Sequence, residues 1–154
     1  VDHDKTAIQH ARFKLKNIKD LKLILAEGNK LPFKNQTFDY VTIIGTFANF
    51  GEQKYEILKE ARRVLKDEGF LIISVYSDEA LSERMKVYKS IALDNIGEVR
   101  KDGTVVFKDF GKTEVSEQFS EEELREILSK SGFKINNIKR ASIAYLLKAG
   151  KTIK

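Results

Sequence analysis

The chain contains no cysteine, a single proline and no long apolar run. Without cysteine, disulfide bonds, thiolate catalysis and cysteine-based zinc sites are all excluded. No apolar stretch approaches the roughly 20 residues that cross a bilayer, so we expect no membrane-spanning helix and no membrane partner. A cysteine-free composition fits a reducing compartment, and we expect the protein to lie in the cytoplasm.

Neither sign of charge is in large excess. The 28 basic and 23 acidic residues leave a net charge of +5, and the two signs alternate along presumed helix surfaces such as residues 54–63. This alternation is typical of a solvated face with ion pairs, and no basic block is interleaved with aromatic residues. We therefore expect no nucleic-acid partner. The balance of Lys, Glu and Ile favours a thermophilic source.

The first half of the chain alternates between helical and strand-like patterns. With 154 residues, of which 42% are hydrophobic, we expect one globular domain over residues 1–154. The predicted elements are a helix at 5–16 capped by Asp4, strands at 21–26 and 38–44, a helix at 52–66, a turn at 67–69 and a strand at 70–75. The apolar run at 38–44 is typical of a strand buried on both faces. The alternation predicts a parallel sheet of the α/β class.

The second half has a different character. Residues 78–93 have helical spacing, and Asp102-Gly103 is a strong hairpin signal. The strands of this hairpin are predicted at 98–100 and 104–108, with a third at 113–119. Ser120 opens a capping box with Glu123 for a helix that Gly132 ends. Residues 133–142 and 143–148 then predict a closing antiparallel strand pair.

The segment from Gly28 to Ile44 is the most informative part of the chain. It joins two apolar runs, Leu21–Ala26 and Tyr40–Ile44, through a polar loop that holds the only proline, Pro32. Two runs of strand length joined by such a loop predict a ligand-binding edge in an α/β sheet.

Four segments stand out by their order along the chain. They are Val1-Asp2-His3-Asp4 with Ala7-Ile8 and Ala11-Arg12; Gly28-Asn29 with Leu31-Pro32-Phe33 and Phe38-Asp39-Tyr40-Val41; Glu60 with Arg63-Val64-Leu65-Lys66 and Gly69; and Phe119-Ser120 through Gly132-Phe133. In this order they resemble the class I S-adenosylmethionine-dependent methyltransferases. The resemblance covers nearly all of the chain.

The resemblance implies a Rossmann-like α/β fold with a mostly parallel sheet, a C-terminal antiparallel strand pair and a small inserted β-hairpin region. Residues 78–119 would be an insertion on the substrate side. In the family, the first strand lies at the centre of the sheet, and a glycine-rich turn after it holds the methionine end of the cofactor. No Gly-x-Gly occurs in the chain. We therefore expect an N-terminally incomplete domain, either a fragment or a chain that another chain completes.

The same resemblance implies S-adenosylmethionine as the cofactor and names residues that would hold its adenosine. Asp2 would accept hydrogen bonds from the ribose hydroxyls, with His3 beside the adenine. Asn29 stands where the family commonly has Asp, and its amide oxygen would accept from the adenine amino group. Lys30 would offer its backbone amide next to the ring. The alternatives are an exposed terminal acid at Asp2 and a plain turn at Asn29.

The resemblance also implies residues for the rest of the site. Gly45 and Thr46 would lie beside the methionine portion, where a missing side chain leaves room for close approach of the ligand. Phe47, Asn49 and Tyr76 are the candidates on the substrate side. Alternatively, Gly45 serves only a sharp strand exit and Phe47 belongs to the core.

The implied reaction is methyl transfer from a sulfonium to a small-molecule acceptor by in-line displacement. Alignment contributes most to such a reaction, and we assign no catalytic residue. Asp2, His3, Asp4 and His10 fall on different helix faces, so we expect no metal. Oligomerisation of the chain with itself is left open. Two alternatives remain: a non-catalytic α/β interaction module or subunit that needs a partner, and an NAD-binding oxidoreductase.

Overall fold

The computed structural model describes residues 1–93, 95–109 and 112–152. Within these ranges the helices are α1 (Lys5–Lys14), α2 (Lys54–Val64), α3 (Leu81–Ser90) and α4 (Glu121–Lys130). The strands are β1 (Phe38–Ile44), β2 (Leu65–Tyr76), β3 (Ile96–Val99), β4 (Val105–Asp109), β5 (Lys112–Ser116), β6 (Phe133–Ala141) and β7 (Ala144–Lys151).

The main sheet has four strands in the order β1-β2-β7-β6. β1 and β2 are parallel, with Ile44 opposite Ser74. β2–β7 and β7–β6 are antiparallel, so the last two strands form the predicted closing pair. The α/β, Rossmann-like class with a parallel beginning and antiparallel end is confirmed.

Helices α2 and α4 cover one face of this sheet. Both helices repeat apolar residues at helical spacing and bury them in one cluster with alternate residues of β2. The cluster includes Ile57, Leu58 and Ala61 of α2, Leu124, Ile127 and Leu128 of α4, and Leu71, Ile73 and Val75 of β2. Truncation of one such Leu or Ile to Ala typically costs about 2–5 kcal/mol.

The opposite face of the sheet is more open, and here one prediction is wrong. β1 lies at the edge of the sheet, and the side chains of Tyr40 and Ile44 are more than half exposed, at 59% and 56%. The apolar run of β1 had predicted a strand buried on both faces. Burial on both faces needs covering elements, and the described residues place none over this side of β1.

The predicted strand at 21–26 is also not formed as such. Its pairing is reduced to one parallel bridge between Leu25 and Asp2, and Leu21 and Leu25 are exposed. A strand needs a neighbour that continues the ladder, and only residues 24–26 reach Asp2. The apolar composition of residues 21–26 therefore predicted a longer strand than the fold forms.

The predicted turn at 67–69 lies inside β2 instead. Phe38 pairs with Leu65 and Tyr40 with Phe70, so residues 66–69 form an irregular stretch of the ladder. A Cβ atom on Gly69 would lie 2.8 Å from the Asp39 carbonyl oxygen. Gly69 therefore permits the backbones of β1 and β2 to approach each other closely within the sheet, whereas the sequence had predicted that it forms a turn before the strand.

Residues 78–119 form a second, smaller unit against the main sheet. The predicted helix at 78–93 begins with a short 3-10 turn at Asp78–Ala80 before α3. The predicted strands appear as the antiparallel sheet β3-β4-β5, and Ser77 bridges Phe119 back at the main sheet. Residues 94, 110 and 111 of this segment lie outside the described residues.

Helix α4 has the predicted boundaries because local chemistry fixes both ends. The Ser120 hydroxyl accepts from the Glu123 amide, and the Glu123 carboxylate accepts from the Ser120 amide at 2.7 Å. Gly132 follows the helix with φ of 77°, a left-handed conformation that favours glycine. These contacts fix both ends of the helix.

Candidate functional site

The turn after β1 leaves open space beside its backbone. Because β1 and β2 are parallel, their carboxyl ends meet at the same edge of the sheet. Gly45 has φ of 72°, and a Cβ atom added there would meet nothing within 4 Å. Thr46 is exposed, and its carbonyl accepts a hydrogen bond from the Asn49 amide at 3.0 Å. A ligand can therefore approach this turn closely.

Asp2 and His3 lie at the end of the short pairing with residues 24–26. The Asp2 amide donates to the Ile24 carbonyl at 3.1 Å, and the Asp2 carbonyl accepts from the Ala26 amide at 3.0 Å. Asp2 and His3 are exposed, and one Asp2 carboxylate oxygen accepts from the Asp4 amide at 2.9 Å. The carboxylate is thus fixed locally and remains open to further donors.

Asn29 and Lys30 lie in a turn against helix α2. The Lys30 amide donates to the Glu27 carbonyl at 3.1 Å, so this amide is already used within the turn. The side-chain nitrogen of Asn29 donates to a Glu56 carboxylate oxygen across a long 3.4 Å contact. With its nitrogen held by Glu56, the Asn29 amide presents its oxygen as an acceptor.

The loop that follows Asn29 is held by an ion pair on α2. Arg63 donates to the carbonyls of Leu31 and Phe33 at 3.0 and 2.7 Å, and to the Asn35 side chain at 2.9 Å. Glu60 accepts from the Leu31 amide at 2.9 Å and from two nitrogens of Arg63 at 2.8 Å each. The Arg63 guanidinium and the Leu31 amide hold the pKa of Glu60 below its ordinary value. This Glu60–Arg63 clamp fixes the position of the loop.

The three substrate-side candidates lie in different environments. Phe47 is fully buried in the core, where its ring meets those of Phe50 and Phe119. That is the alternative position which the sequence left open. Asn49 is exposed, and its side-chain nitrogen donates to the Val115 carbonyl at 3.0 Å.

Tyr76 ends β2 and is partly exposed. Burial, with a smaller contribution from the neighbouring Tyr88, raises the pKa of Tyr76 to about 12. The hydroxyl therefore stays protonated at neutral pH. The guanidinium carbon of Arg84 lies 3.9 Å from the centre of the Tyr76 ring.

Glu56, the Glu60–Arg63 clamp and Arg84 were not assigned to the site from sequence. Glu56 and Glu60 lie on a helix whose alternating charges predict a solvated face. From the sequence, a charged residue such as Arg84 is expected at the surface. The signal that was available is the spacing of Glu60 and Arg63, since residues three apart on a helix can pair.

The described residues contain no cluster of His, Asp and Glu suited to a metal ion, and none of their helices is long and apolar enough to cross a membrane. A cleft of about 590 Å³ lies between the start of α2, residues 102–104 and α4. Its lining includes Lys54, Asp102 and Glu123, and excludes Asp2, Asn29 and Gly45. The cleft is therefore separate from the carboxyl edge of β1, where the turn at Gly45 leaves open space.

Comparison with known proteins shows which proteins the chain resembles in sequence and in fold. Residues 1–73, which include Asp2, Asn29 and Gly45, match the methyltransferase-domain family. An uncharacterized protein of Methanocaldococcus jannaschii is 31% identical over 126 residues, which are 82% of this chain and 52% of that protein. A demethylmenaquinone methyltransferase of Thermotoga maritima is 40% identical over 58 residues, which are 38% of this chain and 25% of that enzyme.

The fold also resembles that of solved methyltransferases. A solved S-adenosylmethionine-dependent methyltransferase from Methanosarcina mazei superposes with a TM-score of 0.72 at 20% identity, covering 99% of this chain and 81% of that one. The chain therefore has the Rossmann-like fold of solved S-adenosylmethionine-dependent methyltransferases, and its first 73 residues match the methyltransferase-domain family. The matched residues span about half the length of the Methanocaldococcus jannaschii protein and a quarter of the Thermotoga maritima enzyme.

Proposed function

We propose that the protein binds S-adenosylmethionine along the carboxyl edge of β1 and transfers its methyl group to a small-molecule acceptor. One observation carries the proposal: the turn at Gly45 leaves open space beside its backbone, within the segment that matches the methyltransferase-domain family. Asn29, whose side-chain nitrogen contacts Glu56, lies in the same segment. The family match favours this function over an NAD-dependent oxidoreductase or a non-catalytic module.

The residues present fit the adenosine part of this ligand. The exposed Asp2 carboxylate has acceptor capacity for ribose hydroxyls beyond its bond to the Asp4 amide. The Asn29 oxygen suits the adenine amino group, and His3 would flank the ring. Lys30 would flank it through its side chain, since its amide already donates to Glu27.

The residues after β1 fit the methionine part. Gly45 would allow close approach because no Cβ intervenes, and Thr46 follows it on the exposed side of the turn. Phe47 would support this turn from the core below it. The Glu60–Arg63 clamp would keep the loop after Asn29 in place.

Mechanistically, the chain would act mainly by positioning. Bound S-adenosylmethionine would supply an electrophilic methyl group on a sulfonium. The turn at Gly45 and Thr46 would set its direction, and residues 78–119 would align the acceptor and exclude water. Positioning of this kind can account for roughly 7–11 kcal/mol of a reaction barrier. A general base is needed only for an acceptor that arrives protonated.

The acceptor side would be formed by Asn49, Tyr76 and the inserted segment 78–119. This segment packs beside the end of β2, next to the edge where the methyl group would be presented. The similarity to a demethylmenaquinone methyltransferase supports a small organic acceptor.

Thermal unfolding with S-adenosylmethionine, S-adenosylhomocysteine or NAD tests the proposal. A ligand at about one hundred times its dissociation constant stabilises the folded state by about 2.7 kcal/mol. For a chain of this length, that is a rise in melting temperature of roughly 5–11 °C. We expect it for the first two ligands and not for NAD. A shift with NAD alone would contradict the proposal, and no shift with any ligand would favour the interaction module.

A further inference from the structure

Arg84 of α3 is a charged side chain with no exposed surface. Among the described residues, no carboxylate forms an ion pair with it. An isolated buried charge is costly, and it is usually paired or bound to a partner. Arg84 therefore calls for a physical explanation.

The hydrogen bonds of Arg84 are incomplete. Its Nε donates to the Tyr88 hydroxyl at 2.7 Å, and one terminal nitrogen, Nη2, donates to the Ser116 carbonyl at 3.0 Å. The other terminal nitrogen, Nη1, is buried and has no acceptor within the part of the chain that the structure describes. The guanidinium has five N–H donors, so three are left without a partner among the described residues, and two of these three are on Nη1.

Aromatic rings enclose the guanidinium but supply no negative charge. Its carbon lies 3.9 Å from the Tyr76 ring centre and 5.2 Å from the Tyr88 ring centre. Stacking of this kind offsets part of the cost of desolvation. Tyr76 has a pKa raised to about 12 by burial, so it is neutral at pH 7 and cannot act as the counter-ion.

Arg84 is linked to the turn after β1 through Ser116. Ser116, which accepts from Arg84, lies between two residues bonded to that turn. The Val115 carbonyl accepts from Asn49 at 3.0 Å, and the Glu117 amide donates to the Ala48 carbonyl at 2.8 Å. The guanidinium is thus held beside the edge where the methyl group would be presented.

We infer that Arg84 determines acceptor specificity by binding an oxyanion of the methyl acceptor, through its two unpartnered Nη1 donors and its charge. The oxyanion is a carboxylate or the ionised hydroxyl of an aromatic ring. The inference rests on the proposed function. Because Arg84 has no exposed surface, the partly exposed Tyr76 ring, whose centre lies 3.9 Å from the guanidinium carbon, would have to move aside to admit the group. Binding then completes the guanidinium fork and supplies the missing counter-charge.

A purely structural role would use the same two hydrogen bonds to tie α3 to β5. The two roles differ in what an apolar replacement does. If Arg84 only ties the elements together, Arg84→Met lowers stability and leaves anion binding unchanged. If Arg84 binds the acceptor, Arg84→Met removes anion binding in addition to these two hydrogen bonds, so anion binding and not stability separates the two roles.

The experiment titrates the full protein, saturated with S-adenosylhomocysteine, with benzoate and with 4-nitrophenolate. Benzamide and nitrobenzene serve as their neutral counterparts. We expect at least one anion to bind and neither neutral compound to bind; which anion binds identifies the source of the oxyanion. Arg84→Met should weaken anion binding by roughly tenfold to a hundredfold, the range for a charge-assisted hydrogen bond.

Arg125→Met is the matched control, because Arg125 is an exposed arginine paired with Glu121 on α4. It should leave anion binding unchanged. Arg84→Lys keeps the charge but loses the planar guanidinium with its paired donors. If the Met variant does not fold, anion binding by Arg84→Lys is compared with wild type instead. Equal anion binding by wild type and both Arg84 variants overturns the inference, as does binding of neither anion by wild type. Binding of S-adenosylhomocysteine, measured first, reports on the proposed function separately.

Discussion

The Glu60–Arg63 clamp should be the main support of the loop that follows Asn29. Arg63→Met removes three hydrogen bonds from Arg63 to the loop and two to Glu60. The side chains of Arg63 and Glu60 are 30% and 18% exposed, so solvent screens this ion pair only in part. At about 1 kcal/mol for each bond to the loop, the expected loss is about 3 kcal/mol. The melting temperature should fall by roughly 6–12 °C.

Urea unfolding gives the free energy of unfolding, and amide hydrogen exchange of Leu31 and of residues 33–35 locates the effect in the loop. Arg125→Met is the control, because removal of an exposed helix pair should cost less than about 0.5 kcal/mol. Glu60→Gln keeps an acceptor for the Leu31 amide and should cost less than Arg63→Met. If Arg63→Met and Arg125→Met unfold at the same urea concentration, the clamp does not support the loop and the reasoning is refuted.

Three further predictions concern pH, the turn after β1 and a buried lysine. Because the pKa of Glu60 is held below its ordinary 4.5, its stabilising contribution is present above pH 4.5 and is lost as the pH falls through the lower pKa of the folded state. The stability of Arg63→Met should therefore depend less on pH in this acidic range than the stability of wild type. An equal dependence would contradict the role of Arg63 in lowering this pKa. Gly45→Ala and Gly51→Ala both place a side chain at positive φ in open space, so each should cost about 1–2 kcal/mol, but only Gly45→Ala should weaken S-adenosylhomocysteine binding in a titration. Glu117→Gln should destabilise the protein by roughly 3 kcal/mol in urea unfolding, since it leaves the 7% exposed Lys54 ammonium without its counter-charge, and a second change, Lys54→Met, should restore part of the loss.

Elements specified by local chemistry could be predicted from the sequence. The capping box at Ser120 and Glu123, and Gly132 at the other end, locate helix α4 within a few residues. The Asp102-Gly103 hairpin and the apolar run of β1 appear where their patterns predicted. Each of these signals acts over a few neighbouring residues, so no knowledge of the fold is required.

Features that depend on distant partners could not be predicted in this way. The run at 21–26 has the composition of a strand, but pairing depends on Asp2, and only one bridge forms. Arg84 has the charge of a surface residue, and its burial depends on Tyr76 in β2 and Ser116 in β5. The family resemblance supplied the candidate residues Asp2, Asn29 and Gly45, whereas the Glu56 and Glu60–Arg63 contacts around them emerge only from the fold.

Calorimetric titration with S-adenosylhomocysteine tests the central claim most directly. The account predicts that wild type binds this ligand and that Asn29→Ala weakens binding by about 1–3 kcal/mol, because the adenine amino group loses its acceptor. Asn17→Ala, a change at an exposed turn asparagine, should bind like wild type. Equal affinity of wild type and Asn29→Ala would show that Asn29 is only a turn residue. No binding by wild type would contradict the proposed cofactor site itself.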